Sequence, residues 1–276
     1  QQHTCRKIPG NGIMPANRAG NPLPAHTAKK EIPAVQHINQ LDAIFFDLDG
    51  TLIDFHIAEH RSILSILSAQ GVDPSEENAR RYGEINKEHW DAYGRGEITK
   101  EVLLTRRFEV FFSVAGHPLA GGTEEARRID ATYQTLLARN TVLHEGALDL
   151  VWSLHGRLPL LIATNGVYRT ALAKLKVAEL SAFFPWVAAS ETIGKQKPDH
   201  AFFYAAMELC GCSDPARILM VGDLWEADIA GAATAGLKTC WFNPSGIRRP
   251  TDNIAIQDVP DLEVRTLGEL QNLLGV

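Results

Sequence analysis

An α/β fold, in which a parallel sheet is covered by helices and carries a helical insertion, is the class this sequence predicts. Two features predict it. Short apolar runs of strand length recur along the chain: "AIFF" from Ala43, "LPLLIAT" from Leu158, "WVAAS" from Trp186, "RILMVGD" from Arg217 and "KTCWFN" from Lys238. Between them stand turns and amphipathic stretches such as "YRTALAKLKVAEL", "DHAFFYAAMELCG" and "EADIAGAATAG", so the chain reads as repeated β-α units. Such units build a parallel sheet with helices on its faces.

The segment before the first strand, residues 1–40, carries several prolines and glycines, few large apolar side chains and a slight basic excess. It buries too little apolar surface to offset the entropy of ordering it, so a flexible tail is expected, with a transit peptide as its functional alternative. It lacks the continuous apolar stretch of a signal peptide, and no run in the chain has membrane-spanning length. Between the first and second strands, residues 55–143 hold only helix-period segments: "HIAEHRSILSILSAQG", "NARRYGEINKEHWDAYG", "TKEVLLTRRFEVFFSVAG" and "EARRIDATYQTLLAR". An insertion that long implies a small helical domain over the sheet's first loop. The expected division is therefore a tail at 1–40, a core from 41–54 and 144–276, and a helical domain at 55–143.

With 276 residues, 45% of them hydrophobic, the chain can bury a sizeable core. A net charge of -6 without any dense basic run argues against a nucleic-acid polymer as partner, because phosphate backbones are bound by clustered Lys and Arg. Four unevenly placed cysteines are too few for a disulfide scaffold and fit a reducing cytoplasm. Cys210 and Cys212 are separated by one residue, which is not zinc-ligand spacing, and the ten histidines are scattered.

Chemistry concentrates where the strands end. In an open parallel sheet, ligands bind beyond the carboxyl ends of the strands. Asp47 and Asp49 follow the first strand, Thr164 and Asn165 with Gly166 the second, and Asp223 and Asp228 the fourth, while Lys197 precedes the helix "PDHAFFYAAM". Each has an ordinary reading by itself: aspartates two apart form turns, Thr164 and Asn165 cap helices, and a lysine before proline is a solvated cation. Their joint occurrence, in one chain order, selects a single site. Such a set supports metal-assisted phosphoryl transfer, with Asp47 and Asp223 sharing a divalent cation whose hard oxygen ligands point to magnesium. Asp47 is then the nucleophile and Asp49 the general acid and base, while Lys197, Thr164 and the backbone around Asn165 and Gly166 bind the transferring phosphate.

"FFDLDGTL", "IATNG", "KQKPD" and "MVGDLWEADIAGA" together resemble the four motifs of the haloacid dehalogenase (HAD) superfamily, over nearly everything from Leu41 onward. The resemblance implies a Rossmann-like, three-layer core with a helical cap of the type called C1 inserted after the first motif. It also implies magnesium held by Asp47, the backbone carbonyl of Asp49 and Asp223, supported by Asp228, with Thr164 and Lys197 on the phosphate. Members that attack carbon lack an acid at the position of Asp49, because a halide leaves unprotonated; its presence here favours a phosphate ester.

Substrate rests on the cap. "INKEHWDAYGRGEIT", "RRFEVFF" and "GLKTCWFNPSG" look like the subgroup of pyrimidine 5'-nucleotidases. That comparison implies a small phosphorylated metabolite, a nucleoside 5'-monophosphate first, as the partner, with Asn86, Trp90 and Arg107 as candidates for the cap's contact with it and a salt bridge within the cap as the alternative for Arg107. Leu224 and Trp225 depart from the small polar residues common after "GD". Four other readings stay open at this point: a phosphoglycolate phosphatase, a sugar-phosphate phosphatase or mutase, a 2-haloacid dehalogenase, and an inactive phosphate-ester binding protein.

Overall fold

A computed structural model of the chain describes residues 38–248 and 260–276. The expected tail lies outside the described residues except for Ile38–Gln40, which form a short 3-10 turn. Six strands make one sheet: β1 (Ala43–Phe46), β2 (Leu160–Thr164), β3 (Trp186–Ala189), β4 (Ile218–Gly222), β5 (Lys238–Phe242) and β6 (Leu262–Val264). All pairings are parallel, in the order β3-β2-β1-β4-β5-β6. The first five strands are those the apolar runs predict. β6 is an addition, an edge strand of three residues whose length is too short to register as a run.

The helices are α1 (Phe55–Ala69), α2 (Glu76–Gly94), α3 (Lys100–Val114), α4 (Gly122–Arg139), α5 (Ala147–Leu154), α6 (Tyr168–Val177), α7 (Ser190–Ile193), α8 (His200–Cys210), α9 (Gly231–Thr234) and α10 (Leu267–Leu274). A π-helical segment, Trp225–Ala230, runs into α9. Side chains alternate across a strand, and β1 shows the consequence: Ile44 and Phe46 pack with α5, α6 and α10, whereas Ala43 and Phe45 pack with α8 and α9. A sheet covered on both faces buries its strands at every position, as β1, β2 and β4 show. The layers are therefore helix, sheet, helix.

Helices α1 to α4 bury a separate apolar cluster that includes Ile63, Tyr82, Phe108, Phe111 and Tyr133. Tyr82 stacks on Phe108 at 5.4 Å and meets Tyr133 edge-on at 5.6 Å. A polar chain threads this cluster. Asn86 donates to Glu59 at 2.6 Å, Arg107 donates to Asn86 at 2.7 Å and to Asp130 at 2.5 Å, and Gln134 donates to Asp130 at 3.1 Å. Thr170 of α6 then donates to Gln134 at 2.9 Å, which carries the chain from all four inserted helices to the sheet's covering layer. Asp130 is the carboxylate paired with Arg107, whose side chain is 2% exposed. Removing it strands a buried cation, so Asp130→Ala is expected to lower stability by about 3–5 kcal/mol. Urea unfolding checks this, and an unchanged midpoint would refute it.

Candidate active site

β1 is central and its neighbours β2 and β4 are in register with it: Phe46 pairs with Ile162 and with Val221. The strand ends are consequently level. Asp47, whose N–H donates to the Val221 carbonyl at 2.8 Å, emerges between Thr164 and Asp223. Beyond it the chain must turn sharply. Gly50 takes a φ of +93°, and a Cβ there would lie 2.4 Å from Asp223 Oδ2, so only glycine lets the two loops approach.

Carboxylate oxygens of Asp47, Asp223 and Asp228 all lie within 4.8 Å of one another. Lys197, 1% exposed, sits in the middle. Its ammonium donates to Asp47 Oδ1 at 2.7 Å, Asp228 Oδ1 at 2.6 Å and the Ala163 carbonyl at 2.6 Å. Burial by itself would lower the Lys197 ammonium, but Asp228 and Asp47 outweigh it and hold the group above the usual lysine range. Burial, helped by the negative charges of Asp228 and Asp49, pushes the Asp47 carboxyl up to about 7 against the pull of Lys197. Burial, with Asp47 and Asp228 beside it, likewise drives Asp223 well above the carboxylate range. One ammonium cannot balance three carboxylates. A divalent cation with hard oxygen ligands matches that imbalance, and the donor set fits it.

The remaining expected residues fall around this centre. Asp228 Oδ2 accepts from the Leu224 N–H at 3.0 Å, and Thr51 donates to Asp223 Oδ1 at 3.0 Å. Thr164, 2% exposed, accepts from the Gly166 N–H at 2.9 Å. The Asn165 side chain is used twice on the backbone of Lys197, donating to its carbonyl and accepting from its N–H, each at 2.9 Å. Asp49 turns away from the carboxylate cluster. Its Oδ1 accepts from Lys174 at 2.5 Å, and it lines a cavity of about 30 Å³ together with Phe55, Trp90, Arg107, Gln134, Gly166 and Lys174.

Of the expected cap residues, Trp90 and Arg107 line this cavity, and Asn86 stands behind Arg107 as its acceptor. Leu224 is exposed and Trp225 packs edge-on against Trp241 at 5.0 Å; neither is among the residues lining the cavity. Lys174, Lys100, Thr51 and Ser190 are absent from the sequence expectations. The signal for Lys174 is its position: with Thr170, Ala171 and Leu175 it falls in the buried stripe of α6, where a lysine needs a buried partner.

Over residues 41–236 the chain matches the family model of the haloacid dehalogenase-like hydrolases, and it belongs to that family. Two of its relatives above 30% identity share a more specific name. The chain is 32% identical over 232 residues to the pyrimidine 5'-nucleotidase PynA of Streptococcus pneumoniae, covering 84% of this chain and 94% of that protein. It is 31% identical over 233 residues to the pyrimidine 5'-nucleotidase YjjG of Escherichia coli, covering 84% and 97%. Among solved structures, magnesium-bound YfnB of Bacillus subtilis, named as a HAD-hydrolase, superposes with a TM-score of 0.76 at 29% identity, covering 86% of this chain and 99% of that one. That crystal structure is described as revealing interdomain movement.

The close approach of Gly50 to Asp223 generates a test. Gly50→Ala combines a positive φ with a clash against the Asp223 carboxylate, and is expected to cost about 1–3 kcal/mol. Urea unfolding of the metal-free protein measures it; a midpoint equal to wild type would show that the loops can part without loss.

Proposed function

We propose that the chain is a magnesium-dependent phosphatase of small phosphate monoesters, acting through an aspartyl-phosphate, with pyrimidine nucleoside 5'-monophosphates as its leading substrates. The observation that carries the reading is the single cluster in which Lys197 bridges Asp47 and Asp228 while Asp49 faces a separate cavity. Asp47, Asp223 and Asp228, with the Asp49 carbonyl, would hold the magnesium ion, which supplies positive charge opposite the phosphate oxygens.

Lys197 occupies Oδ1 of Asp47 and leaves Oδ2 to attack phosphorus. The new bond joins Asp47 to phosphorus, and the bond from phosphorus to the ester oxygen breaks. Asp49 gives its proton to that departing oxygen and later takes one from the water that cleaves the aspartyl-phosphate, which restores both side chains. Thr164 and the amides following it, at the end of β2, hold the remaining oxygens. Asn165 contributes indirectly, by setting the backbone from which Lys197 projects.

The leaving group would lie in the cavity beneath α1 to α4, between Asp49 and Trp90. The present volume holds no nucleoside. A water needs on the order of 10–15 Å³ by this measure, so about 30 Å³ admits two or three. Helices α1 to α4 must therefore lift as a cap to admit substrate and settle to exclude bulk water. The names of PynA and YjjG support a pyrimidine nucleotide, and Trp90 offers its base an aromatic face. A cytoplasmic location fits the free thiols of Cys210, Cys212 and Cys240.

Phosphate release from a generic aryl phosphate tests the chemistry. Asp47→Asn is expected to reduce it by roughly 10³-fold or more, and equal rates for both proteins would remove Asp47 as nucleophile. Magnesium should also raise the thermal midpoint of the wild type by roughly 5 °C or more at about a hundredfold over its Kd, and do much less for Asp223→Asn. An equal rise in both proteins would place the ion elsewhere. Uridine, deoxyuridine and thymidine monophosphates, compared with phosphoglycolate and hexose phosphates, decide the substrate class; preference for either of the latter would overturn the nucleotide reading.

A further inference from the structure

Lys100, the first residue of α3, stands out among the cations of the inserted helices. A positive charge in the first turn opposes the helix dipole, so helix stability does not account for a lysine there. Its ammonium reaches across to the sheet and donates to the Asn165 carbonyl at 2.7 Å, the Gly166 carbonyl at 2.6 Å and Ser190 Oγ at 3.1 Å. All three acceptors are neutral. The lysine's hydrogen bonds are thus spent on orientation, and burial pushes its ammonium down to about 8 although Glu191 acts in the opposite sense.

Two of those acceptors belong to successive peptide groups. In a trans peptide the C=O and N–H point in opposite directions, so fixing the carbonyls of Asn165 and Gly166 also fixes where the N–H groups of Gly166 and Val167 point. The Gly166 N–H meets Thr164 Oγ1 at 2.9 Å, on the side of the loop toward Asp49. A glycine peptide resists rotation poorly, so this loop needs an external hold. Ser190 reinforces it by donating to the same Asn165 carbonyl at 3.2 Å.

We propose that Lys100 is a positioning residue that clasps the Asn165–Gly166 loop when α1 to α4 are seated, so that the loop's amides are set for phosphate only in the closed enzyme. Closure of the cap and assembly of the phosphate site are then one event. This rests on the phosphatase reading above and adds a coupling residue that lies outside its set of catalytic and binding groups.

Two variants test it: Lys100→Met, which keeps length and loses the donors, and Lys100→Arg, which keeps donors. For Lys100→Met, hydrogen exchange in peptides covering Thr164 to Tyr168 is expected to quicken by about tenfold or more, while peptides of β4 keep wild-type rates. On an aryl phosphate its kcat is expected to fall by about tenfold or more with KM changed by less than about threefold, and Lys100→Arg to recover most of the loss. Unchanged loop exchange, or kcat within about twofold of wild type, overturns the clasp; exchange quickened equally in β4 marks a merely structural residue and overturns it too. Should the wild type hydrolyse no monoester, the phosphatase reading fails, and the exchange measurement still decides the clasp.

Discussion

The structure depends on an imbalance of charge at one point: three carboxylates crowd the carboxyl end of the central strand with a single ammonium among them. Such a cluster is unfavourable in an apolar surrounding, and the protein arranges much of its local geometry around making it tolerable. The level strand ends bring Asp47 and Asp223 together, Gly50 lets their loops touch, and Lys197 reaches Asp47 and Asp228 with its backbone held by Asn165. The Asp47 and Asp223 carboxyls are still driven up, which leaves a place for further positive charge. A site that welcomes a divalent cation is thus a direct consequence of where β1, β2 and β4 end.

The inserted helices address a different difficulty. They carry their own apolar cluster and so have a core without the sheet, yet a polar chain from Glu59 to Thr170 and the reach of Lys100 to Asn165 tie them to it. Polar links of this kind suit a movable contact better than apolar packing does. Were the helices to lift as proposed, each donor and acceptor at the seam, such as Thr170 or the Asn165 carbonyl, would return to water, and opening would cost far less than exposing an equal area of core. The cavity lined by Trp90 and Arg107 lies at this seam, where its size can change without unfolding either part.

Much of this was legible in the chain. Five strands announce themselves because strands buried on both faces are mostly apolar, and the four inserted helices because each keeps a helical stripe. Asp47, Asp223, Asp228 and Lys197 are legible because strand ends are where a parallel sheet gathers its functional groups. What escaped has physical reasons. β6 is too short to show a pattern, and Lys100 lies at a helix start where two of its three partners are backbone carbonyls, which leave no trace in side-chain identity. Arg107 was readable as a nucleoside contact or a cap salt bridge, and the choice of Asp130 as its buried partner follows only from the packing of α3 on α4.

The pairing of Asp47 with Asp49 is explained by the two lysines that receive them. Two residues apart, the carboxylates would repel each other if they shared one environment, and the fold separates them. Asp47 is 5% exposed and held by Lys197 from the loop before α8, whereas the Asp49 side chain is 25% exposed and held by Lys174 from α6, on the far side of the cavity. Different partners from different elements give neighbouring residues of one type distinct chemical settings. A nucleophile must be fixed and protected from water, while a group that passes protons must reach the leaving oxygen and the incoming water. In the proposed cycle the helices would close over the Asp49 side of the site, so the part that exchanges protons would also be the part that opens.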